Sequence, residues 1–188
     1  MPIPNSDNPF DPSTITPSLR DRAITSESGA LLDELLAHSI RLRDLYKEAR
    51  WLTADIQSRQ LRLMFEAHYK EQLRLVDVLV DRIRMLGGAG RVFAGVFLQD
   101  TGSSYAWRGR LSTTRILRDL LDAHEFALDA ARLGGQRDVE DNPGSMCDFA
   151  VGQVVLTNDL QSWSIGELLM RRDAARRFFE PHDVGMDT

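Results

Sequence analysis

The feature that most constrains the fold is a stretch of the chain, residues 30–86, that contains neither glycine nor proline. Its apolar residues recur at spacings of three, four and seven, in two stripes: Leu31, Leu35, Leu42, Leu45 and Ala49, then Leu61, Phe65, Tyr69, Leu73, Val76, Val80 and Ile83. A break near residues 53–55, where Asp55 can cap a new helix, separates the stripes. The pattern predicts two long helices with a short turn between them, the second ending at Gly87-Gly88.

The second half of the chain predicts another pair of helices. Residues 87–110 hold six glycines and no strong stripe, which indicates a long connection with a short helix around residues 92–97. Ser112 can cap a third helix, which we expect to end at Gly134-Gly135. Ser145 and Asp148 form a capping pair for a fourth helix, which runs through Val151, Val155, Leu160, Trp163 and Leu168 to near Phe178. Two helical hairpins separated by a long crossover predict an all-α fold, a ferritin-like four-helix bundle.

Five of the seven prolines lie in the first seventeen residues. Proline has no N–H and a fixed φ, so this segment is a poor helix or strand. We expect residues 1–27 to be an N-terminal arm, either extended on a neighbouring subunit or disordered. Residues 28–178 would form the bundle and residues 179–188 a C-terminal tail.

Composition excludes several classes of protein. The 188 residues fit one domain, and the formal charge of −5 argues against a basic nucleic-acid coat. The single cysteine, Cys147, excludes an intrachain disulfide, is typical of a reducing compartment and is expected to be a core thiol. No apolar run approaches the ~20 residues of a membrane helix, and the N-terminus lacks the pattern of a secretory signal. We therefore expect a cytoplasmic protein without membrane association.

The charged residues of the second helix form one row. Ferritin-like di-iron sites use Glu-x-x-His on two helices, a motif that this sequence lacks. Instead, four charged side chains lie within roughly 100° of one another around the helix: Arg62, Glu66, Asp77 and Asp81. The three carboxylates could bind a hard cation. The row could equally be a solvated face with i,i+4 pairs such as Arg62–Glu66.

Several motifs in this region together resemble the Dps mini-ferritins. They are Lys47-Glu48-Ala49-Arg50-Trp51, Phe65-Glu66, Asp77-x-x-x-Asp81-Arg82 and Leu86-Gly87-Gly88. Those proteins have a His-Trp pair, a second His twelve residues later and an acid four residues further on, then Asp-x-x-x-Glu before Leu-Gly-Gly. The match runs without a gap from about residue 40 to 88, and the helix pattern extends it over residues 28–171. The resemblance implies a hollow homo-oligomeric shell, a dodecamer, for iron storage, DNA protection and stress response.

In that family the ferroxidase centre lies between two subunits. By position, Glu66, Asp77 and Asp81 match the acidic metal ligands, whereas Arg50 and Arg62 replace the two histidines. An arginine is always protonated and cannot ligate iron, so the resemblance implies a ferroxidase centre that is degenerate or lost. We hypothesise that both arginines pair with these acids of the partner subunit. Whether the chain is a ferroxidase stays open.

Other residues have weaker indications. His68 lies roughly 200° around the helix from Glu66 and is expected to be a surface or packing residue, and Trp51 and Trp163 are expected to pack. Asp138, Asp141 and Asp148 lie near the position of the family's three-fold pore, although they also fit a polar loop with a helix cap. The best basic patch for DNA, locally offset by acids, is Arg171, Arg172, Arg176 and Arg177.

Three hypotheses follow for the function. The first is an iron storage and protection protein with a weakened or absent ferroxidase centre. The alternative is a non-catalytic structural cage or a nucleoid-associated DNA-protection protein, with weak DNA binding. The third is a small bundle unrelated to the family, which would be a monomer or dimer. Iron is the metal that the resemblance implies, and no other cofactor is indicated.

Overall fold

A computed structural model describes the backbone of residues 19–53, 59–88, 112–141 and 147–179, and the side chains of residues 27–53, 59–88, 112–138 and 147–174. The described residues form four helices and no strand: α1 (Leu19–Leu52), α2 (Arg59–Met85), α3 (Thr113–Asp141) and α4 (Cys147–Phe179). The all-α four-helix bundle predicted from the sequence is confirmed. None of these helices combines the length and apolar character needed to cross a membrane.

The helix directions follow from two clusters of buried apolar residues. One cluster joins residues 31–40 of α1 to residues 75–83 of α2, Ala131 of α3 and residues 147–154 of α4. The other joins residues 42–49 of α1 to residues 61–65 of α2, residues 116–127 of α3 and residues 165–169 of α4. The start of α1 therefore meets the end of α2, the end of α3 and the start of α4. Helices α2 and α3 run parallel, so the end of α2 and the start of α3 lie at opposite ends of the bundle, as in ferritin-like bundles with one long crossover.

Two predicted helix ends are confirmed by their hydrogen bonds. Gly87 has φ +82°, its N–H donates to the carbonyl of Arg84 at 3.0 Å, and the N–H of Gly88 donates to the carbonyl of Ile83 at 2.8 Å. This pair of bonds is a Schellman motif, in which glycine enters the left-handed region at little steric cost. At the start of α3, the N–H of Arg115 donates to Oγ of Ser112 at 3.2 Å, so Ser112 is the N-cap.

Two predicted boundaries were wrong. Helix α1 begins at Leu19 rather than at residue 28, so residues 19–27 of the predicted arm belong to this helix. Helix α3 continues through Gly134 and Gly135 to Asp141. Both glycines allow close packing: a methyl group at Gly134 would collide with the side chain of Leu31, and one at Gly135 would lie 2.9 Å from Cγ1 of Val151.

Several expectations fall outside the described residues: the arm over residues 1–18, the caps at Asp55 and Ser145, the short helix at residues 92–97, and the tail after Phe179. Cys147 is buried, as expected. The two tryptophans expected to pack are largely exposed on this chain, Trp51 by 62% and Trp163 by 69%. Helical spacing alone cannot distinguish a core stripe from an apolar stripe on the outer face.

Candidate functional site

An ion pair joins the end of α1 to the first half of α2. Arg50 lies in the last turn of α1, and its Nη1 donates a hydrogen bond to Oε2 of Glu66. On the other side of the carboxylate, Nζ of Lys70 lies 3.2 Å from Oε1. Both carboxylate oxygens of Glu66 therefore have cationic partners. The hypothesis of an Arg50 bridge to Glu66 of the partner subunit is corrected, because the pair forms within one chain.

This pair lies beside an open pocket of about 500 Å³ at the junction of α1 and α2. The side chains that line it are Arg50, Trp51, Arg59, Arg62, Leu63 and Glu66. We call it the arginine pocket. Arg62 shares the pocket with Glu66, but the described ion pairs of Glu66 are with Arg50 and Lys70, so the simple Arg62–Glu66 pair on one helix is not formed.

The other two acidic positions are distant from Glu66. Asp77 and Asp81 are exposed on the same helix, and at 1.5 Å per residue they lie roughly 16 and 22 Å further along its axis. Within the described parts of the helices, no three His, Cys, Asp or Glu side chains are close enough together to hold one metal ion. One chain therefore does not combine Glu66 with the two aspartates, and a site that used all three would need a second subunit.

The acidic residues of the predicted pore lie at one end of the bundle. Oδ1 of Asp138 accepts a hydrogen bond from Oγ of the buried Ser28 at 2.5 Å, which ties α3 to α1. Asp148 is exposed in the first turn of α4, and Asp141 ends α3 with its side chain outside the described set. Asp138 thus has a structural role in this chain, and the pore stays a prediction.

The predicted basic patch lies in the last third of α4. Arg171 pairs with Glu167 at 3.4 Å, and Arg172 is exposed. Arg176 and Arg177 belong to α4, but their side chains lie outside the described set. The ion pair neutralises part of the charge that DNA binding would require.

A buried polar network at the centre of the bundle was missed at the sequence level. It contains at least one side chain from every helix: Tyr46 of α1, His68 and Gln72 of α2, His124 of α3, and Asn158 and Gln161 of α4. The sequence did indicate that His124 is buried, because it lies four residues from both Leu120 and Leu128 on the buried face of α3. His68 is a packing residue, one of the two alternatives expected for it. The hydroxyl of Tyr46 lies 2.6 Å from Nε2 of His124 and 3.1 Å from Nδ1 of His68.

The amide groups fix the proton positions of the two histidines. The side-chain amide of Asn158 donates to the carbonyl of Val154 at 2.7 Å, so its Oδ1 is the acceptor. This Oδ1 lies 2.7 Å from Nδ1 of His124, which must therefore carry a proton. Nε2 of His124 then accepts from the hydroxyl of Tyr46, which in turn accepts from Nδ1–H of His68. Gln72 extends the network, because its Nε2 donates to Oδ1 of Asn158 at 3.2 Å and to Oε1 of Gln161 at 2.9 Å.

Burial keeps this network neutral. Desolvation lowers the pKa of His124 to about 4, against an opposing effect of its hydrogen bond to Asn158. Desolvation also lowers the pKa of His68, although the charge of Glu71 opposes it. The pKa of Tyr46 is raised well above its usual value, chiefly by burial. At neutral pH all three groups are uncharged, as this donor and acceptor pattern requires.

Comparisons with known proteins agree with this architecture. Residues 29–169 match the family model described as Ferritin-like domain. The chain is similar in structure to DpsC from Streptomyces coelicolor, with a TM-score of 0.73 and 31% identity over 78% of this chain and 86% of that chain. Dps from Thermosynechococcus elongatus shares the fold at 20% identity and a TM-score of 0.69, covering 90% of this chain and all of that one.

In sequence, the chain is similar to a protein of Kitasatospora aureofaciens described as "Uncharacterized protein in bpoA2 5'region". It is 36% identical over 101 residues, which are 54% of this chain and 67% of that protein. Taken together with the matched family model, these similarities identify the class. The chain belongs to the ferritin-like family, and its likeness to DpsC makes it a Dps-like member of that family.

Proposed function

We propose that this protein is a Dps-like iron storage and protection protein that forms a hollow shell of identical subunits in the cytoplasm, with a ferroxidase centre that is degenerate or lost. The observation that carries this proposal is the Arg50–Glu66 ion pair. It occupies the place where the family resemblance puts one of the histidine ligands and an acidic ligand of the iron site. Iron is the substrate and cargo of such a shell.

The charges around Glu66 oppose the binding of ferrous iron there. A guanidinium group has no lone pair to offer a metal and stays charged at any physiological pH. Arg50, Arg62 and Lys70 surround or approach a carboxylate whose two oxygens already have cationic partners. A divalent cation would have to displace them. We therefore propose that Asp77 and Asp81 of the partner subunit meet this positive surface instead of completing a metal site.

The test is ferrous iron oxidation by oxygen or hydrogen peroxide, compared between the wild type and the double variant Arg50→His, Arg62→His. We expect the wild type to oxidise iron at a rate close to that of protein-free buffer, and the double variant to be clearly faster because two imidazole ligands are restored. Arg84→His is the matched control, because Arg84 is an exposed arginine in the last turn of α2, the helix of Arg62. This substitution should leave the oxidation rate unchanged. Rapid oxidation by the wild type would contradict the proposal.

Iron content distinguishes storage from a purely structural cage. After slow aerobic loading, we expect iron to elute with an assembly whose light-scattering mass fits twelve chains of 21.2 kDa. Iron entry would pass the acidic residues Asp138, Asp141 and Asp148. An assembly that retains no iron would favour the structural cage, and a monomer or dimer would favour an unrelated bundle. A gel shift with plasmid at low salt tests DNA binding by Arg171, Arg172, Arg176 and Arg177.

A further inference from the structure

Helix α4 has a row of large apolar side chains that are exposed on the single chain. Five of them are each more than half exposed: Phe149, Leu156, Leu160, Trp163 and Met170. From helix geometry they lie within about 80° of one another and extend over about 32 Å of the helix axis. We call this row the α4 stripe. The described parts of the other three helices have at most two such side chains each.

The α4 stripe lies opposite the core side of its helix. The core side includes the buried residues Ala150, Val154 and Ile165, which pack against the other helices. The centre of the stripe is roughly 170° around the helix from them. A surface helix normally has one apolar face, whereas a helix that is apolar on opposite sides is covered on both. Large exposed apolar patches of this kind mark contacts with other proteins.

Two acidic residues beside the stripe are already paired within the chain. Asp159 forms an ion pair with Arg132 of α3 at 2.9 Å, and Glu167 forms one with Arg171 at 3.4 Å. These pairs reduce the charge that would oppose burial of the stripe. A surface rich in aromatic residues and methionine, with few charges, is typical of the core of a protein–protein interface. A nucleic acid would require cations on this surface instead.

The stripe faces away from the arginine pocket. Helices α1 and α4 each pack chiefly on α2 and α3, so α1 and α4 lie diagonally across the bundle from each other. The outer side of α4 therefore points away from α1, which supplies Arg50 and Trp51 to the pocket. A neighbouring molecule on the stripe would not compete with the subunit that the proposed function places at the pocket.

A shell requires more than the contact at the arginine pocket. When the arginines of each chain meet Asp77 and Asp81 of the partner subunit, the contact is reciprocal and is complete with two chains. Such dimers form a shell only through a further contact on another surface. The proposed function has iron enter past Asp148, which directly precedes Phe149 at the start of the stripe. The stripe therefore begins beside a residue around which copies of the chain would meet.

We propose that the α4 stripe packs against a second copy of this chain, in a contact separate from the arginine pocket, and that this contact joins dimers into the shell. The proposal rests on the proposed function for the existence of the shell and adds the surface that builds it. The occupant is another copy because each dimer needs a further contact with its own kind. The stripe is the longest exposed apolar row among the described side chains.

Light scattering after gel filtration tests the proposal by comparing the wild type with the double variant Leu156→Glu, Trp163→Glu. We expect the mass of the assembly to fall about sixfold, from twelve chains of 21.2 kDa to two, because a buried unpaired carboxylate is strongly unfavourable. Trp163→Ala should shift the assembly toward dimers at low protein concentration, since it removes an aromatic anchor. Circular dichroism checks that the helices remain.

Helix α3 provides the matched control. Phe126→Glu with Leu133→Glu introduces the same charges at similarly exposed apolar side chains, and this variant should keep the mass of twelve chains. The other contact is tested by Asp77→Arg with Asp81→Arg, which should remove the reciprocal contact alone. Combining these two substitutions with the two in the stripe should yield single chains, because both contacts are then lost.

Several outcomes would overturn the proposal. If the wild type and the stripe variant both contain twelve chains, the stripe is not the joining contact, although the proposed shell stands. If the wild type is a monomer or dimer, the shell and this inference both fail. Single chains from the stripe variant alone would show that the stripe forms the dimer contact. An equal loss of mass in the α3 variant would indicate a general effect of charge. A less stable stripe variant of unchanged mass would indicate that the chain itself covers the stripe.

Discussion

The buried network makes a quantitative prediction about acid stability, with His124 as the titrating group. His124 is fully buried, and its pKa is lowered from 6.5 to about 4. The unfolded chain binds a proton at this histidine more readily than the native protein does. The contribution of neutral His124 to the free energy of unfolding is therefore fully present above pH 6.5 and is lost progressively as the pH falls toward 4. At about 1.4 kcal/mol per pKa unit, the native state loses roughly 3 kcal/mol between pH 7 and pH 4.

Burial sets the direction of this effect, and the hydrogen bonds of His124 show what an added proton would disrupt. Tyr46 of α1 donates to its Nε2, Asn158 of α4 accepts from its Nδ1–H, and His68 of α2 lies on the other side of the tyrosine hydroxyl. A protonated His124 would turn the acceptor Nε2 into a second donor. The hydroxyl of Tyr46 would then face two donors, and its own hydrogen would lose its acceptor. A positive charge would also remain in the apolar core.

The assay is urea unfolding, followed by circular dichroism at fixed protein concentration between pH 4 and pH 8. The wild type and His124→Gln are compared, because glutamine is uncharged across this range. We expect the pH dependence of the unfolding free energy below pH 6.5 to be shallower in His124→Gln, by up to about 1.4 kcal/mol per pH unit. His38→Gln, at a half-buried histidine of α1, is the comparison, and its effect should be smaller. Parallel pH profiles for the wild type and His124→Gln would refute the reasoning.

Four other substitutions test the packing of the bundle by urea unfolding at pH 7. Gly134→Ala should destabilise the protein by about 1–3 kcal/mol because the added methyl group collides with Leu31, whereas Gly152→Ala, in open space on α4, should stabilise it by about 0.5–1 kcal/mol. Equal effects of these two substitutions would contradict the close approach of α1 and α3. Gly87→Ala should cost about 1 kcal/mol because of the φ of +82°, and no loss would argue against the Schellman motif. Tyr46→Phe should cost about 1–3 kcal/mol, since it leaves Nε2 of the buried His124 without a donor, and a neutral result would count against that hydrogen bond.

The helices were predictable where local chemistry decides them. The cap at Ser112 and the left-handed Gly87 follow from side-chain hydrogen bonding and from the lack of a Cβ, which need no knowledge of the rest of the chain. Gly134 and Gly135 misled the prediction because glycine also serves close packing between helices, and the packing partner is visible only in three dimensions. The start of α1 at Leu19 was missed because prolines limit the segment only up to Pro17, and proline is compatible with a position just before a helix.

The candidate site was predictable only in part. The resemblance singled out Arg50 and Glu66, which are sixteen residues apart and belong to different helices, but it placed their contact between subunits. The charge pattern of α2 could not show that Glu66 would pair with Arg50 of α1 rather than with Arg62 on its own helix. The exposure of Trp51 was also unexpected, because apolar spacing does not say which face of a helix remains uncovered.

The donor set inside the bundle limits where iron chemistry can take place. Where ferritin-like di-iron proteins place carboxylates and histidines from all four helices, the buried network at the centre of this bundle has two histidines, a tyrosine and three amides. The two ring nitrogens of His124 are already hydrogen-bonded to Tyr46 and Asn158. Nδ1 of His68 donates to the hydroxyl of Tyr46. Neutral amides and committed imidazoles offer little to a divalent ion that prefers charged oxygen ligands. Most polar atoms of this network have a hydrogen-bond partner. Because these partners come from different helices, the network favours one register of the four helices. The network is therefore suited to fixing the fold, and the proposed function leaves any reaction with iron to carboxylates outside it, where the ion pairs of Glu66 oppose metal binding at that residue.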